Sequence, residues 1–536
     1  MSPRLLLLLV ALATAIAGPE IRAAALTETE EVEDSPFLET RSGVVEGEYV
    51  NGGRVEAFKG IPFARAPVGE LRWKAPLREA SWNGTTKKTK KWSDACMQRR
   101  DGLIDAPPLA VSEDCLYLNV YRRRTANRTN VPAVMLFFHG GSYVYGTAGF
   151  LLYDGSNLVD MAHNEVIIVT ANYRLGVFGY LGNDALRDTS AGNSSGNWGL
   201  QDQRAALEWV QENLNELSGG RGGQVTIFGE SAGAGSVSAA LVTPRSKGLF
   251  SRAIIESGPP CANWTSKSWE TSVSDAKLVS SNLGCAEDDT FCLRSQNASA
   301  VLHAGKSVKH PVKGVTWSPV IDGVELSDSI TNMLRKGLAH DVPVLIGSNK
   351  NEGTTFVSNE DMTPQQYVEY AHGRFGEEIG ELVLKEYNVS AYATPWLAAV
   401  AALGDAMMTC PTRQTGRLLS MQGHEVYTYF LRRPLNAVHW PIVKKKQLGV
   451  FHGTDLFYVF QDADFIMNKD GLALADIFNH FWTSFAATGR PSSPGSLTWP
   501  RYNVSADINM DLDLPPALTQ GLKKEKCDFW ERLSFV

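Results

Sequence analysis

The stretch Gln224 to Val242 reads Gln-Val-Thr-Ile-Phe-Gly-Glu-Ser-Ala-Gly-Ala-Gly-Ser-Val-Ser-Ala-Ala-Leu-Val, and few folds can accommodate it. Val225 to Phe228 is a β-branched and aromatic run, and Ala232 to Val242 is a small-residue run suited to a helix and stopped by Thr243-Pro244. Ser231 stands at the turn between them. So tight a turn strains the serine backbone and leaves no room for a side chain two positions to either side, where Gly229 and Gly233 stand. The hydroxyl is thereby lifted clear of the sheet. The N–H of Ala232, at the start of the helix, can donate to an oxyanion.

The bare pattern Gly-x-Ser-x-Gly says less, because a chain with 48 glycines holds it by chance roughly 0.3 times. Gly192-Asn-Ser-Ser-Gly196 matches equally well, but it follows a polar stretch, with no strand before it and no apolar helix start after it. It reads as a loop, which leaves Ser231 as the nucleophile candidate.

Around this turn, Leu116 to Tyr121, Ala133 to Phe138, Val166 to Ala171, Ala253 to Glu256, Val344 to Gly347 and Val426 to Leu431 read as strands. Gln201 to Leu217 has helical spacing. Val44 to Val50, Asn51-Gly52-Gly53 and Val55 to Phe58 form a hairpin pattern, so the first sheet strands are expected to be antiparallel. The alternation predicts an α/β fold: a large, mostly parallel sheet covered by helices. Insertions over 266–313 and 360–417 are expected to cap one end. With no repeat and no Pro-rich linker, 39–536 reads as a single domain.

The chain opens with Arg4, an apolar run from Leu5 and Ala-Ile-Ala before Gly18, the pattern of a signal peptide over 1–17. The acidic stretch 18–38 is expected to be a disordered leader. No later run reaches about 18 uninterrupted apolar residues, so no transmembrane segment is expected, and the protein reads as secreted or lumenal. Sequons at Asn83, Asn127, Asn193, Asn263, Asn297, Asn388 and Asn503 agree. A net charge of −7 leaves no nucleic-acid footprint. No pattern speaks to oligomeric state. Of seven cysteines, short spacings favour Cys96 with Cys115 and Cys285 with Cys292; Cys410 with Cys527 would tie the C-terminal tail back, with Cys261 left over. No Cys-x-x-Cys or His-x-x-x-His pattern points to a metal, and no cofactor motif is present.

A serine nucleophile needs a base and an acid that orients it. His452, in Gly449-Val-Phe-His-Gly-Thr-Asp, is the first candidate base and His439 the second. Glu352 follows a buried strand, where a sheet presents functional loops; Asp322 and Asp405 are alternatives. A histidine base must be neutral, so activity should fall on acidification with an apparent pKa of roughly 6 to 7. His139-Gly140-Gly141-Ser142, at the end of a buried strand, can turn further N–H groups toward an oxyanion.

Taken together, Phe58-Lys-Gly-Ile-Pro-Phe-Ala, Ser112-Glu-Asp-Cys-Leu-Tyr-Leu-Asn, the His139-Gly-Gly loop, Asn172-Tyr-Arg-Leu-Gly, Phe228-Gly-Glu-Ser-Ala-Gly, Gly347 to Gly353 and His452-Gly resemble the type-B carboxylesterase and cholinesterase family of α/β-hydrolases from Thr40 to Trp530. The resemblance implies Ser231 as nucleophile, Glu352 as acid, His452 as base, and the N–H groups of Gly141, Ser142 and Ala232 as oxyanion hole. It implies the same three disulfides with Cys261 free, and places Glu230 and Ser257 beside the triad. Ser142 stands where many members have a third glycine, which leaves a backbone donor in place.

The function implied is hydrolysis of small-molecule carboxylic esters through an acyl-enzyme. The alternatives are a lipase or sterol-ester hydrolase and, from another class, a non-catalytic binding or adhesion protein. The chain is closer to a general carboxylesterase than to a cholinesterase. Where cholinesterases place a tryptophan for the quaternary ammonium, the loop from Cys96 to Cys115 has no aromatic residue and carries Arg99 and Arg100. Lys313 and Val315 stand where acetylcholine-selective members place phenylalanines, with Trp264 and Trp317 as groups that could refill the space.

Overall fold

The computed structural model describes residues 35–82, 84–99, 110–124, 131–310, 315–435, 448–462, 467–495 and 497–533. The signal-peptide and most of the leader expectations, Asn83, Asn127, Arg100, His439 and Lys313 lie outside the described residues.

Its centre is a sheet of eleven strands in the order Ala517–Gln520, Ile508–Leu512, Val426–Leu431, Val344–Asn349, Arg252–Glu256, Val225–Glu230, Ala133–Phe138, Val166–Ala171, Tyr117–Arg123, Val55–Pro62 and Glu48–Val50. From Ile508–Leu512 to Val166–Ala171 neighbouring strands run parallel, and the outer ones are antiparallel. All residues of Ala133–Phe138, Val166–Ala171, Val225–Glu230, Val344–Asn349 and Val426–Leu431 are buried, because helices cover both faces and leave no polar alternation to read. Alternate positions along each strand feed separate cores: Val134, Leu136 and Ile227 pack into one, Met135, Phe137 and Phe228 into the other. The described residues from Pro36 onward fall in one compact unit.

Several boundaries depart from the sequence reading. The hairpin forms between Glu48–Val50 and Val55–Pro62, but Gly43–Glu46 turns away to pair with Phe37–Thr40 in a separate small sheet. That strand takes in Phe37 and Leu38, which the leader was expected to include; Leu38 is buried against the core. The long helix spans Trp198–Glu212 and breaks at Asn213, whose side chain donates back to the Trp209 carbonyl at 2.7 Å. Strands Ile508–Leu512 and Ala517–Gln520 were not anticipated.

Disulfides join Cys96 to Cys115, Cys285 to Cys292 and Cys410 to Cys527, and Cys261 is a buried free thiol. No helix among the described residues is long and apolar enough to cross a membrane.

Candidate active site

In a parallel sheet the C-terminal strand ends share one edge, and this edge gathers the candidates. Ser231 follows Val225–Glu230 directly, with φ 56° and ψ −123°, a conformation that L residues rarely adopt. Its N–H donates to the Glu256 carbonyl at 2.8 Å, fixing the turn to the next strand. The two glycines are required by contact. A Cβ on Gly233 would lie 1.8 Å from the Phe138 carbonyl oxygen, and one on Gly229 would lie 2.6 Å from the Gly233 carbonyl carbon. Ala232 begins the helix Ala232–Val242, where N–H groups have no acceptor within the helix.

The His139–Ser142 loop is pressed against this turn: the Cβ position of Gly140 is 3.1 Å from Ser231 Cβ and 2.6 Å from Glu230 Oε2. Gly141 and Ser142 both have positive φ, 111° and 53°. Gln98, just beyond Cys96, clamps the far side of the loop through a two-way amide pair with the Gly146 backbone at 2.7 and 2.9 Å.

Glu352 is 1 % exposed and opens a 3-10 turn after Val344–Asn349. Its Oε2 lies 2.6 Å from His452 Nδ1, and its Oε1 accepts from the Ser257 hydroxyl and the Asn349 N–H, both at 2.6 Å. A carboxylate held by three donors fixes the ring it faces and selects the tautomer protonated on Nδ1. A backbone zip brings the histidine there. Asn351 donates its N–H to the Val450 carbonyl and accepts the Val450 N–H on its side chain, Thr354 donates to the Leu448 carbonyl, and the Asn349 amide donates to the Phe451 carbonyl. The loop ends at Gly453, φ 88°, before the helix Thr454–Phe460.

The alternative acids are engaged elsewhere. Asp322 accepts the Ser194 hydroxyl and caps three backbone N–H groups, and Asp405 accepts from Tyr387 and Lys523. Ser194 is fully buried in that loop.

Glu230 and Ser257 stand at opposite ends of the His452–Glu352 pair. Ser257 bonds the acid, while Glu230 Oε1 lies 3.2 Å from His452 Nε2. Nε2, the atom that would take the serine proton, makes no hydrogen bond to any described residue. Burial opposes charge on His452, but Glu230, Glu352 and Asp455 outweigh it and raise the imidazole to about 9. Burial pushes Glu230 up to about 8, with His452 opposing the rise. Ring and carboxyl therefore compete for protons, and the neutral base appears at higher pH than the range of roughly 6 to 7 expected from an ordinary histidine.

The sequence reading missed the two asparagines that assemble the site. Asn349 and Asn351 lie inside the Gly347 to Gly353 stretch, where the glutamate carries the only signal of chemistry.

A family model described as the carboxylesterase family matches residues 34–530. The chain is also similar to the protein named crystal protein from Dictyostelium discoideum, at 33% identity over 519 residues, covering 92% of this chain and 90% of that one.

Proposed function

The chain belongs to the carboxylesterase family, and on that premise we propose that it hydrolyses neutral carboxylic esters with Ser231 as nucleophile, His452 as base and Glu352 as the orienting acid. The observation that carries the reading is the 2.6 Å contact of His452 Nδ1 with a Glu352 carboxylate, at the strand edge that also presents Ser231 on its strained turn. Ser231 Oγ adds to the ester carbonyl carbon while His452 Nε2 takes its proton. The oxyanion is met by the N–H groups of Gly141, Ser142 and Ala232, a type of donor worth about 10²–10³ in rate apiece. Collapse breaks the bond to the alcohol, which leaves with the proton from Nε2. Water, deprotonated by the same nitrogen, then adds to the acyl-enzyme, and the acid departs as Ser231 regains its proton.

A second reading is favoured by one observation, the name of the Dictyostelium relative, which speaks of a crystal rather than of hydrolysis. In it the fold serves a non-catalytic purpose. The occupied nucleophile, base and acid positions argue for the esterase. Hydrolysis of an uncharged butyrate ester tests the choice: the wild type should turn it over and Ser231→Ala should not, whereas a wild type with no rate above the uncatalysed background would favour the second reading.

We also infer passage through the secretory route. Support comes from three disulfides and from the exposure of Asn193, Asn297, Asn388 and Asn503.

A further inference from the structure

Away from the strand edge that carries Ser231, His163, Asp476 and His480 converge, with one ligand atom from each within 4.8 Å of the others. Asp476 and His480 are one turn apart on the helix Lys469–Thr488, so they share a face. His163 comes from the connector between the helix Ser156–Asp160 and the strand Val166–Ala171. That strand runs parallel to Ala133–Phe138 and Val225–Glu230, which places His163 at the N-terminal strand ends, opposite the candidate active site.

The backbones are already in place for three-point binding. Asn479 accepts the His163 N–H at 3.3 Å and donates to the Leu158 carbonyl, and the Asn164 amide donates to the Thr483 hydroxyl at 3.1 Å. These bonds clip the connector to the helix on both sides of His163. His163 Nε2 lies 2.7 Å from Asp476 Oδ1, and the two imidazoles stack with centroids 3.3 Å apart. Parallel rings do not aim their lone pairs at one point, so binding requires one ring to turn. The His163 side chain, 37% exposed, has the room to do so.

We propose that His163, Asp476 and His480 form a surface site for a late first-row divalent cation of the Zn²⁺ type. Two imidazole nitrogens and one carboxylate oxygen are the donor set that such ions prefer, and Ca²⁺ or Mg²⁺ would seek oxygens alone. With three protein ligands the fourth position belongs to water. Tetrahedral coordination at about 2.0–2.2 Å replaces the 2.7 Å contact between His163 and Asp476 with a bond from each to the ion and ties the connector to the helix. The ion acts as a staple between two segments far apart in sequence, remote from ester chemistry.

The test uses untagged full-length protein near pH 7.5. Titration calorimetry should find one Zn²⁺ bound per chain, Zn²⁺ should raise Tm, and Cu²⁺ in the same site should give an electron paramagnetic spectrum with couplings to two imidazole nitrogens. His163→Ala and His480→Ala should each weaken binding at least about tenfold, since loss of even an outer-shell partner costs about 10–100-fold. Both variants should keep the wild-type rate of ester hydrolysis without metal. Binding by the His163→Ala/His480→Ala double variant as tight as by the wild type would overturn the proposal, and so would a wild type that binds no Zn²⁺. In either case the cluster is only a stacked imidazole pair with a hydrogen bond.

Discussion

On the proposed mechanism, Glu230 bears on the pH at which His452 is free to act as base. Its carboxylate stabilises charge on His452 from 3.2 Å, so the ring must lose a proton more tightly held than that of a free imidazole. kcat/KM should therefore rise with pH through an apparent pKa that belongs to the His452–Glu230 pair and lies above the usual 6.5. Glu230→Gln removes the negative charge, lowers the affinity of Nε2 for its proton and moves the acid limb to lower pH. A pH profile of both enzymes checks this, and a limb left unmoved in the variant would contradict the coupling. The sequence could place Glu230 beside the serine, but the shift depends on a distance between residues 230 and 452.

At the scale of elements, the site depends on the zip between residues 349–354 and 448–453. Asn351→Ala removes the acceptor for the buried Val450 N–H, and an unmet buried donor costs about 1–3 kcal/mol. The expected result is a lower Tm together with a lower kcat, because the His452 loop loses its register against Glu352; thermal melts and steady-state kinetics read the two effects. A second element, the loop closed by Cys96–Cys115, bears on the substrate. Among its described residues none is aromatic, Trp317 is already covered by Lys267 at 4.5 Å, and the Trp264 indole donates to the Met407 carbonyl. Butyrylcholine should therefore be a poorer substrate, by kcat/KM, than an uncharged butyrate ester of similar leaving-group pKa; a preference for the choline ester would contradict the reading. Elements with one dominant signal were legible from sequence: the apolar runs Ala133–Phe138, Val166–Ala171 and Val426–Leu431 have the boundaries expected of them. Ile508–Leu512 was not, because its Asn and Asp break the apolar run. The zip was not legible either, since asparagines gain their meaning from a segment about a hundred residues away. The grouping of His163, Asp476 and His480 was not legible either, because its helical pair is Asp-x-x-x-His and its third member lies more than three hundred residues earlier.

Across the whole molecule, the Cys410–Cys527 bridge closes a loop of 117 residues and fastens the C-terminal helix Lys524–Arg532 to the body. Replacing both cysteines with alanine should cost about 2–5 kcal/mol, read as a lower denaturation midpoint, with the rate of hydrolysis at low temperature retained. The strand edge and the strained turn converge on one hydroxyl, that of Ser231, which the proposed mechanism makes the nucleophile. The most direct test is to treat the native protein with a fluorophosphonate and locate the adduct by mass spectrometry. One adduct per chain is expected, on Ser231, formed in step with loss of ester hydrolysis and absent from Ser231→Ala. An adduct on Ser194, or hydrolysis that survives full labelling of Ser231, would contradict it.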